Sequence, residues 1–257
     1  MLTLADGSQW VLHATDDAAR ESIVQFCAAT RLRSDFSAWG GMRRAFTFVL
    51  CAEKSLEVAE DFVGWAHLIE LSTALARAFV PHGGVLLHGA LAEWEGRGVL
   101  LAAPGGTGKT TASNRLPPPW RSLSDDMTLV LCDAQGQWWA HPWPTWSRFL
   151  PGGSGGAWDV QYAVPLHAIF YLAQAPEERV EPIGAGQATA MLVQSAEQAA
   201  YFSLTRGLSV EESRALRQQS FNLLCNLAQA MPTFVLHLSL TGAFWVEIER
   251  ALGWNRE

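Results

Sequence analysis

The segment Ala103–Thr110, with the sequence APGGTGKT, decides how this 257-residue chain is interpreted. Its glycines let successive backbone N–H groups turn toward one anion, and the N-terminus of a following helix adds a favourable dipole. The spacing matches a phosphate-binding P-loop, with alanine at the first position where glycine is more common. The alternative is a glycine-rich turn that contains a lysine by chance. Lysine occurs only at Lys54 and Lys109 among the 18 basic residues, so the composition disfavours a chance match.

The roles of the residues follow from the chemistry of a P-loop. The lysine, here Lys109, bridges the outer phosphates, and the hydroxyl that follows it, here Thr110, ligates Mg²⁺. We therefore predict that the chain binds ATP and Mg²⁺. The residues predicted to contact the nucleotide are Gly105, Gly106, Thr107, Gly108, Lys109, Thr110 and Thr111.

The flanking sequence supplies the strand and the helix that a P-loop requires. Apolar runs at 85–91 and 99–102 bracket the polar turn Glu95–Gly98, a pattern that predicts a β-hairpin leading into the loop. A helix is predicted from Lys109 to Leu116. Further strands are predicted at Met127–Cys132, Gln137–Ala140, Leu166–Ala173 and Phe234–Leu240, and further helices at Gly186–Tyr201, Val210–Met231 and Phe244–Leu252.

Residues 1–80 are predicted to form a small α+β segment in front of a P-loop domain that spans residues 81–257. The segment comprises a hairpin in Leu2–Ala14, a helix from a cap at Thr15–Asp17 to about Thr30, a strand at Ala45–Cys51 and a helix at Asp61–Phe79. The fold class is therefore α/β, with a mixed sheet and flanking helices.

Composition limits the partners and the compartment. The formal charge of −7, from 18 basic and 25 acidic residues, leaves no cationic excess for a nucleic-acid backbone. The four cysteines are far apart, which fits neither a zinc site nor a disulfide framework and predicts reduced, mostly buried thiols. We find no signal peptide and no apolar run long enough to span a membrane, and we expect a cytoplasmic protein without a membrane partner. The oligomeric state stays open, and a homo-oligomer is one alternative.

A pair of aspartates provides the carboxylate that a P-loop enzyme needs near its metal ion. Asp125 and Asp126 come immediately before the apolar run Met127–Leu131, about 16 residues after Lys109. Because neighbouring residues in an extended chain point to opposite sides, one aspartate can reach the Mg²⁺ while the other faces a separate group, such as a substrate hydroxyl. An aspartate pair alone is also compatible with a helix cap or a solvated turn.

These motifs together resemble the HPr kinase/phosphorylase family, whose nucleotide-binding fold is related to that of phosphoenolpyruvate carboxykinase. The matching stretch begins at Leu87, passes through the P-loop and ends at Asp126, about 45 residues. The resemblance implies an active-site histidine at His88, a catalytic base at Asp125 and a metal ligand at Asp126, with the order of the two aspartates still open. Without the resemblance, a lone histidine in an apolar strand would be interpreted as structural.

The segment His141–Arg148 is similar to the HPr-kinase-like proteins encoded beside ribosomal peptide clusters, which include the lasso-peptide kinases and the SynChlorMet cassette protein ScmC. The chain departs from true HPr kinases in its downstream sequence and in residues 1–80. The resemblance implies an ATP-dependent kinase that phosphorylates a hydroxyl, most simply serine, on a ribosomally made peptide or small protein. The alternative is a nucleotide-binding accessory or regulatory subunit without kinase activity.

Two further features of this segment have alternative interpretations. Its tryptophans, together with Trp138 and Trp139, either fill the core or line a substrate groove. Arg148 either contacts a transferring phosphoryl group or forms a surface salt bridge.

Overall fold

The structure is a computed structural model that describes residues 1–14, 17–32, 45–50, 63–149, 153–199 and 204–254. In these ranges the strands are β1 (Leu2–Thr3), β2 (Gln9–Ala14), β3 (Ala45–Leu50), β4 (Gly84–Trp94), β5 (Arg97–Ala102), β6 (Trp120–Ser124), β7 (Met127–Cys132), β8 (Trp138–Trp143), β9 (Val164–Gln174), β10 (Arg179–Pro182) and β11 (Thr233–Leu238). The helices are α1 (Asp17–Ala29), α2 (Val63–Phe79), α3 (Lys109–Arg115), α4 (Ala185–Ala199), α5 (Val210–Ala230) and α6 (Phe244–Leu252). The predicted cap residues Thr15 and Asp16, the strand end Cys51 and the helix start Asp61 lie outside the described residues.

An eight-stranded sheet forms the centre of the fold. Its strand order is β10-β11-β9-β5-β4-β7-β8, and β6 pairs separately with β4. Within the described residues of this sheet, only the β9–β11 and β5–β9 pairs are parallel. Because β8 also pairs with β9, the five strands β9, β5, β4, β7 and β8 form a closed ring of strand pairings. The predicted mixed α/β architecture is confirmed, with a sheet that is mostly antiparallel.

Helices cover both faces of the sheet around the P-loop strand β5. Leu100 packs in a cluster with Leu192 of α4 and Leu227 of α5, whereas its neighbour Leu101 packs in a cluster with Ala112 of α3 and Ile248 of α6. This division follows from the alternation of side chains along a strand. The strand β5 is therefore apolar on both faces, and the loop that follows it starts from the buried end of a central strand.

The N-terminal elements form a second, three-stranded sheet in the order β1-β2-β3. The predicted hairpin is present, since β1 and β2 pair antiparallel, and β3 pairs parallel to β2. Phe26 of α1 and Leu75 of α2 pack in one cluster with Leu129 of β7 and Trp143 of β8. The described elements of the N-terminal segment thus share a core with the large sheet, and the proposed domain division at residue 80 remains a prediction.

Two strands of the structure were absent from the sequence prediction, and some of the predicted strands, among them β8 and β9, are longer than expected. The strand β6 has only its two ends buried, and β10 is an almost fully exposed edge strand, so neither shows apolar alternation. The strand predicted at Gln137–Ala140 is observed as Trp138–Trp143. Trp138 and Trp143 are buried, which confirms the core interpretation for these two tryptophans.

Two other expectations from composition concern the thiols and membrane spans. Cys27, Cys132 and Cys225 are free, as predicted, but only Cys27 is buried, and Cys51 lies outside the described residues. In the part of the chain that the structure describes, no helix combines the length and apolarity needed to cross a membrane.

Candidate functional site

The loop between β5 and α3 has the geometry of an anion cradle. Gly106 and Gly108 have φ angles of 78° and 107°, a left-handed conformation that side-chain-bearing residues rarely adopt. A Cβ atom at either position would meet nothing within 4 Å, so the loop faces open space. Among the described residues, the backbone N–H groups of Gly106 and Gly108 donate to no protein acceptor. These donors are therefore available to phosphate oxygens.

Lys109 begins α3 and folds back beneath this loop. Its Nζ donates to the carbonyl oxygens of Ala103 at 3.0 Å and Pro104 at 3.4 Å, and it lies 3.4 Å from Asp126 Oδ1. The side chain is 4% exposed. Burial lowers the pKa of Lys109, and the charge and hydrogen bond of Asp126 offset part of that shift. The lysine therefore already lies between the loop and the aspartate pair.

Asp126 is the point at which three predicted residues meet. Its Oδ1 lies 2.9 Å from His88 Nε2, in addition to the contact with Lys109. Burial alone would raise the pKa of Asp126, but the hydrogen bonds and charges of His88 and Lys109 outweigh it, so the pKa lies below its usual value. The carboxylate is therefore ionised at neutral pH. Its side chain is also 22% exposed, so a cation can reach it from solvent.

His88 is held from its other side by α4. Its Nδ1 lies 2.8 Å from Gln198 Oε1, and its backbone carbonyl accepts a hydrogen bond of 3.2 Å from Ser195 Oγ. The contact with Gln198 orients the imidazole so that Nε2 faces Asp126, and the hydrogen bond from Ser195 holds the backbone of His88 against α4. Gln198 and Ser195 were not predicted from the sequence, because no motif links two residues of a distant helix to His88 of β4.

Asp125 faces a different set of partners from Asp126. Arg148 donates to its Oδ2 from Nη2 at 2.6 Å and from Nε at 3.2 Å, and Thr145 Oγ1 donates to its Oδ1 at 3.3 Å. The two consecutive aspartates lie in the bend between β6 and β7, and their side chains diverge. Arg148 thus forms a salt bridge with a buried carboxylate rather than with a surface partner. Thr145 was not predicted from the sequence as a site residue.

The threonines of the predicted nucleotide site occupy the mouth of the loop. Thr110 and Thr111 lie exposed on the first turn of α3, and the carbonyl oxygen of Thr107 accepts a 3.3 Å hydrogen bond from Gln174 Nε2. The described part of the chain has no group of three His, Cys, Asp or Glu side chains suited to a metal ion. A site with Asp126 and Thr110 as its only protein ligands instead fits Mg²⁺, which usually takes one or two carboxylates together with substrate phosphates and water.

The structure therefore brings His88 and Lys109 each into contact with Asp126, and Asp125 is the next residue in the chain. No curated protein gives a significant match to the chain. The family model of the SynChlorMet cassette protein ScmC matches residues 49–253, about four fifths of the chain, and this match includes the P-loop and both aspartates. The chain belongs to the family of the SynChlorMet cassette protein ScmC.

Proposed function

We propose that this protein is an ATP-dependent kinase of the HPr-kinase-like type that phosphorylates a hydroxyl, most simply serine, of a ribosomally synthesised peptide or small protein. The family is that of a cassette protein associated with peptide modification, which supports a peptide-related partner. The observation that carries the proposal is the convergence of Lys109, Asp126 and His88 at the foot of a glycine-rich loop with free N–H donors.

The nucleotide would lie on the loop from Gly105 to Thr111. Backbone N–H groups of the loop would bind phosphate oxygens, and Lys109 would exchange its carbonyl partners for the outer phosphates. This exchange replaces the two neutral carbonyl partners of a buried lysine by anionic oxygens, which form stronger hydrogen bonds with a charged group. Mg²⁺, held by Asp126 and Thr110, would neutralise charge on the phosphate oxygens.

Asp126 and His88 would act as one unit in this site. His88 Nε2 and Lys109 Nζ fix one oxygen of the Asp126 carboxylate, which leaves the second oxygen to face a cation. Gln198 fixes the ring of His88 in turn. Side chains that hold a metal-binding carboxylate in this manner commonly set its orientation and affinity.

Asp125 would accept the proton of the acceptor hydroxyl while the hydroxyl oxygen attacks the γ-phosphorus and the bond to ADP breaks. A positioned carboxylate of this kind contributes about 10²–10⁴ in rate. Lys109 and Arg148 would stabilise charge on the transferring group. The separation of Asp125 from Asp126, with Arg148 and Thr145 on one side and Lys109 and His88 on the other, supports two distinct roles for the pair.

A second candidate is a nucleotide-binding accessory subunit of a peptide-modification system. One observation favours it: both oxygens of Asp125 are engaged by Thr145 and Arg148, as in a structural ion pair. Nucleotide sensing needs the P-loop and a metal ligand, but it needs no base.

A transfer assay separates the two candidates. The protein is incubated with Mg²⁺ and ATP labelled in the γ-phosphate, together with short precursor peptides encoded beside its gene. A kinase produces labelled peptide and the label maps to a hydroxyl side chain. A protein that binds ATP but labels no neighbouring peptide, small protein or metabolite would be assigned the accessory role instead.

A further inference from the structure

The ion pair between Asp125 and Arg148 engages the residue that the proposed reaction needs free. Arg148 binds Oδ2 through two nitrogens, and Thr145 takes Oδ1, so both carboxylate oxygens have a protein donor. The Asp125 side chain is 9% exposed, whereas that of Arg148 is 32% exposed. The carboxylate is thus buried beneath a guanidinium that still reaches solvent.

This pair lies close to the phosphate-binding loop. The charge of Asp125 contributes to the pKa of Lys109, whose Nζ contacts the neighbouring Asp126. Asp125 is the chain neighbour of Asp126, so the Asp125–Arg148 ion pair lies one residue from the carboxylate that the P-loop lysine contacts. A multiply charged anion bound by Lys109 would compete with Asp125 for the Arg148 guanidinium.

We propose that Arg148 changes partner when ATP binds, leaving Asp125 for the terminal phosphoryl oxygens of the nucleotide. The proposal rests on the proposed function, and it adds an order of events: the triphosphate arrives first and uncovers Asp125 for the acceptor. A planar guanidinium suits both partners, because it forms two parallel hydrogen bonds with a carboxylate or with a phosphate. The triphosphate carries more negative charge than the Asp125 carboxylate, so the guanidinium binds the triphosphate more strongly.

Arg148 has the structural freedom that such an exchange requires. It belongs to the short 3₁₀ turn Trp146–Phe149 rather than to a long helix or to the sheet. In the described part of the chain, the hydrogen bonds of its guanidinium all go to Asp125, while its backbone carbonyl is fixed by a 2.8 Å hydrogen bond from Gly155 N–H. The side chain can thus move while the backbone of the turn stays in place.

A double-mutant cycle read out with two nucleotides tests the exchange. Calorimetry at constant Mg²⁺ measures ATP and ADP affinity of the wild type, Asp125→Asn, Arg148→Gln and the double variant. Arg148→Gln should weaken ATP binding about tenfold and change ADP binding less than about twofold, because ADP lacks the terminal phosphoryl group. Asp125→Asn should tighten ATP binding about fivefold, since it removes the competitor for Arg148, and this gain should vanish in the double variant.

Matched controls and a conservative variant keep the result interpretable. Glu247→Gln and Arg250→Gln alter an ion pair on α6, in which Arg250 is exposed and Glu247 is partly buried, and reproduce the same changes in net charge. Arg148→Lys keeps the charge without the planar fork and should bind ATP with an affinity between those of the wild type and Arg148→Gln. Thermal unfolding verifies that every variant is folded.

Several results would overturn the exchange. Equal effects of Arg148→Gln on ATP and ADP, or a gain from Asp125→Asn that persists without Arg148, would show a purely structural ion pair while leaving nucleotide binding intact. A wild type that binds neither nucleotide would overturn the proposed function and the exchange together.

Discussion

Acidification should lower the free energy of unfolding, in part because His141 is buried in its neutral form. Replacement of His141 by glutamine should remove most of that part. His141 of β8 is fully buried: its Nδ1 lies 2.8 Å from the carbonyl oxygen of Val160, and its Nε2 lies 3.3 Å from the backbone nitrogen of Ala5. In the neutral imidazole, Nδ1–H donates to the carbonyl and Nε2 accepts from the N–H. Protonation would place a second N–H against the Ala5 donor, so the folded state requires the neutral ring.

The magnitude follows from the shift in pKa. Burial lowers the pKa of His141 from 6.5 to about 4, against a smaller opposing effect of the hydrogen bond to Val160. In the unfolded chain the histidine takes up a proton as the pH falls below 6.5, whereas in the folded chain it does so only near pH 4. The contribution to stability is therefore present at neutral pH and decreases by about 2.5 kcal/mol between pH 7 and pH 4.5.

Urea unfolding of the wild type and His141→Gln at pH 7 and pH 4.5 measures this difference. The variant should be less stable at pH 7, by about 1–3 kcal/mol for its lost buried hydrogen bonds, yet it should lose less stability on acidification. His82→Gln changes an exposed histidine and should retain the wild-type pH dependence. Equal losses for the wild type and His141→Gln would refute the assignment of a buried neutral His141.

Three further substitutions address the nucleotide site. Lys109→Ala should abolish tight Mg²⁺-ATP binding in calorimetry, and unchanged ATP affinity would contradict the P-loop assignment. The same substitution should lower the unfolding temperature, because the buried lysine bonds to Ala103, Pro104 and Asp126. Thr110→Ala and Asp126→Asn should each weaken the Mg²⁺ dependence of ATP binding, as measured by titration with Mg²⁺ at constant ATP. Wild-type Mg²⁺ dependence in both variants would show that the metal ligands are other residues.

The sequence alone predicted the parts of the site that are local in the chain. The P-loop and the aspartate pair are contiguous motifs, each next to a strongly apolar strand, and the chemistry of phosphate binding specifies their residue types. His88 needed the family resemblance, because one histidine in an apolar strand is compatible with a structural role. The motif assigns Lys109 to the outer phosphates, and it gives no sign that the structure also buries the side chain against main-chain carbonyls.

The remaining residues of the site were not predictable from local patterns. Gln198 contacts His88 across 110 positions of sequence, and Thr145 contacts Asp125 across 20. Both contacts depend on how α4 and the end of β8 pack against β4 and β7, which is a property of the tertiary structure. The strands β6 and β10 were missed for a related reason, since their backbones pair in the sheet although most of their side chains face solvent.

A single-turnover comparison of Asp125→Asn with Asp126→Asn, using γ-labelled ATP and an acceptor peptide from the genomic neighbourhood, tests the central claim most directly. Asparagine keeps the side-chain volume and removes the base, so Asp125→Asn should bind ATP at least as tightly as the wild type and lose phosphoryl transfer by about 10²–10⁴. Asp126→Asn should weaken Mg²⁺-dependent ATP binding itself. If the two phenotypes are exchanged, the two aspartates exchange roles. Transfer at the wild-type rate in both variants would contradict the kinase account.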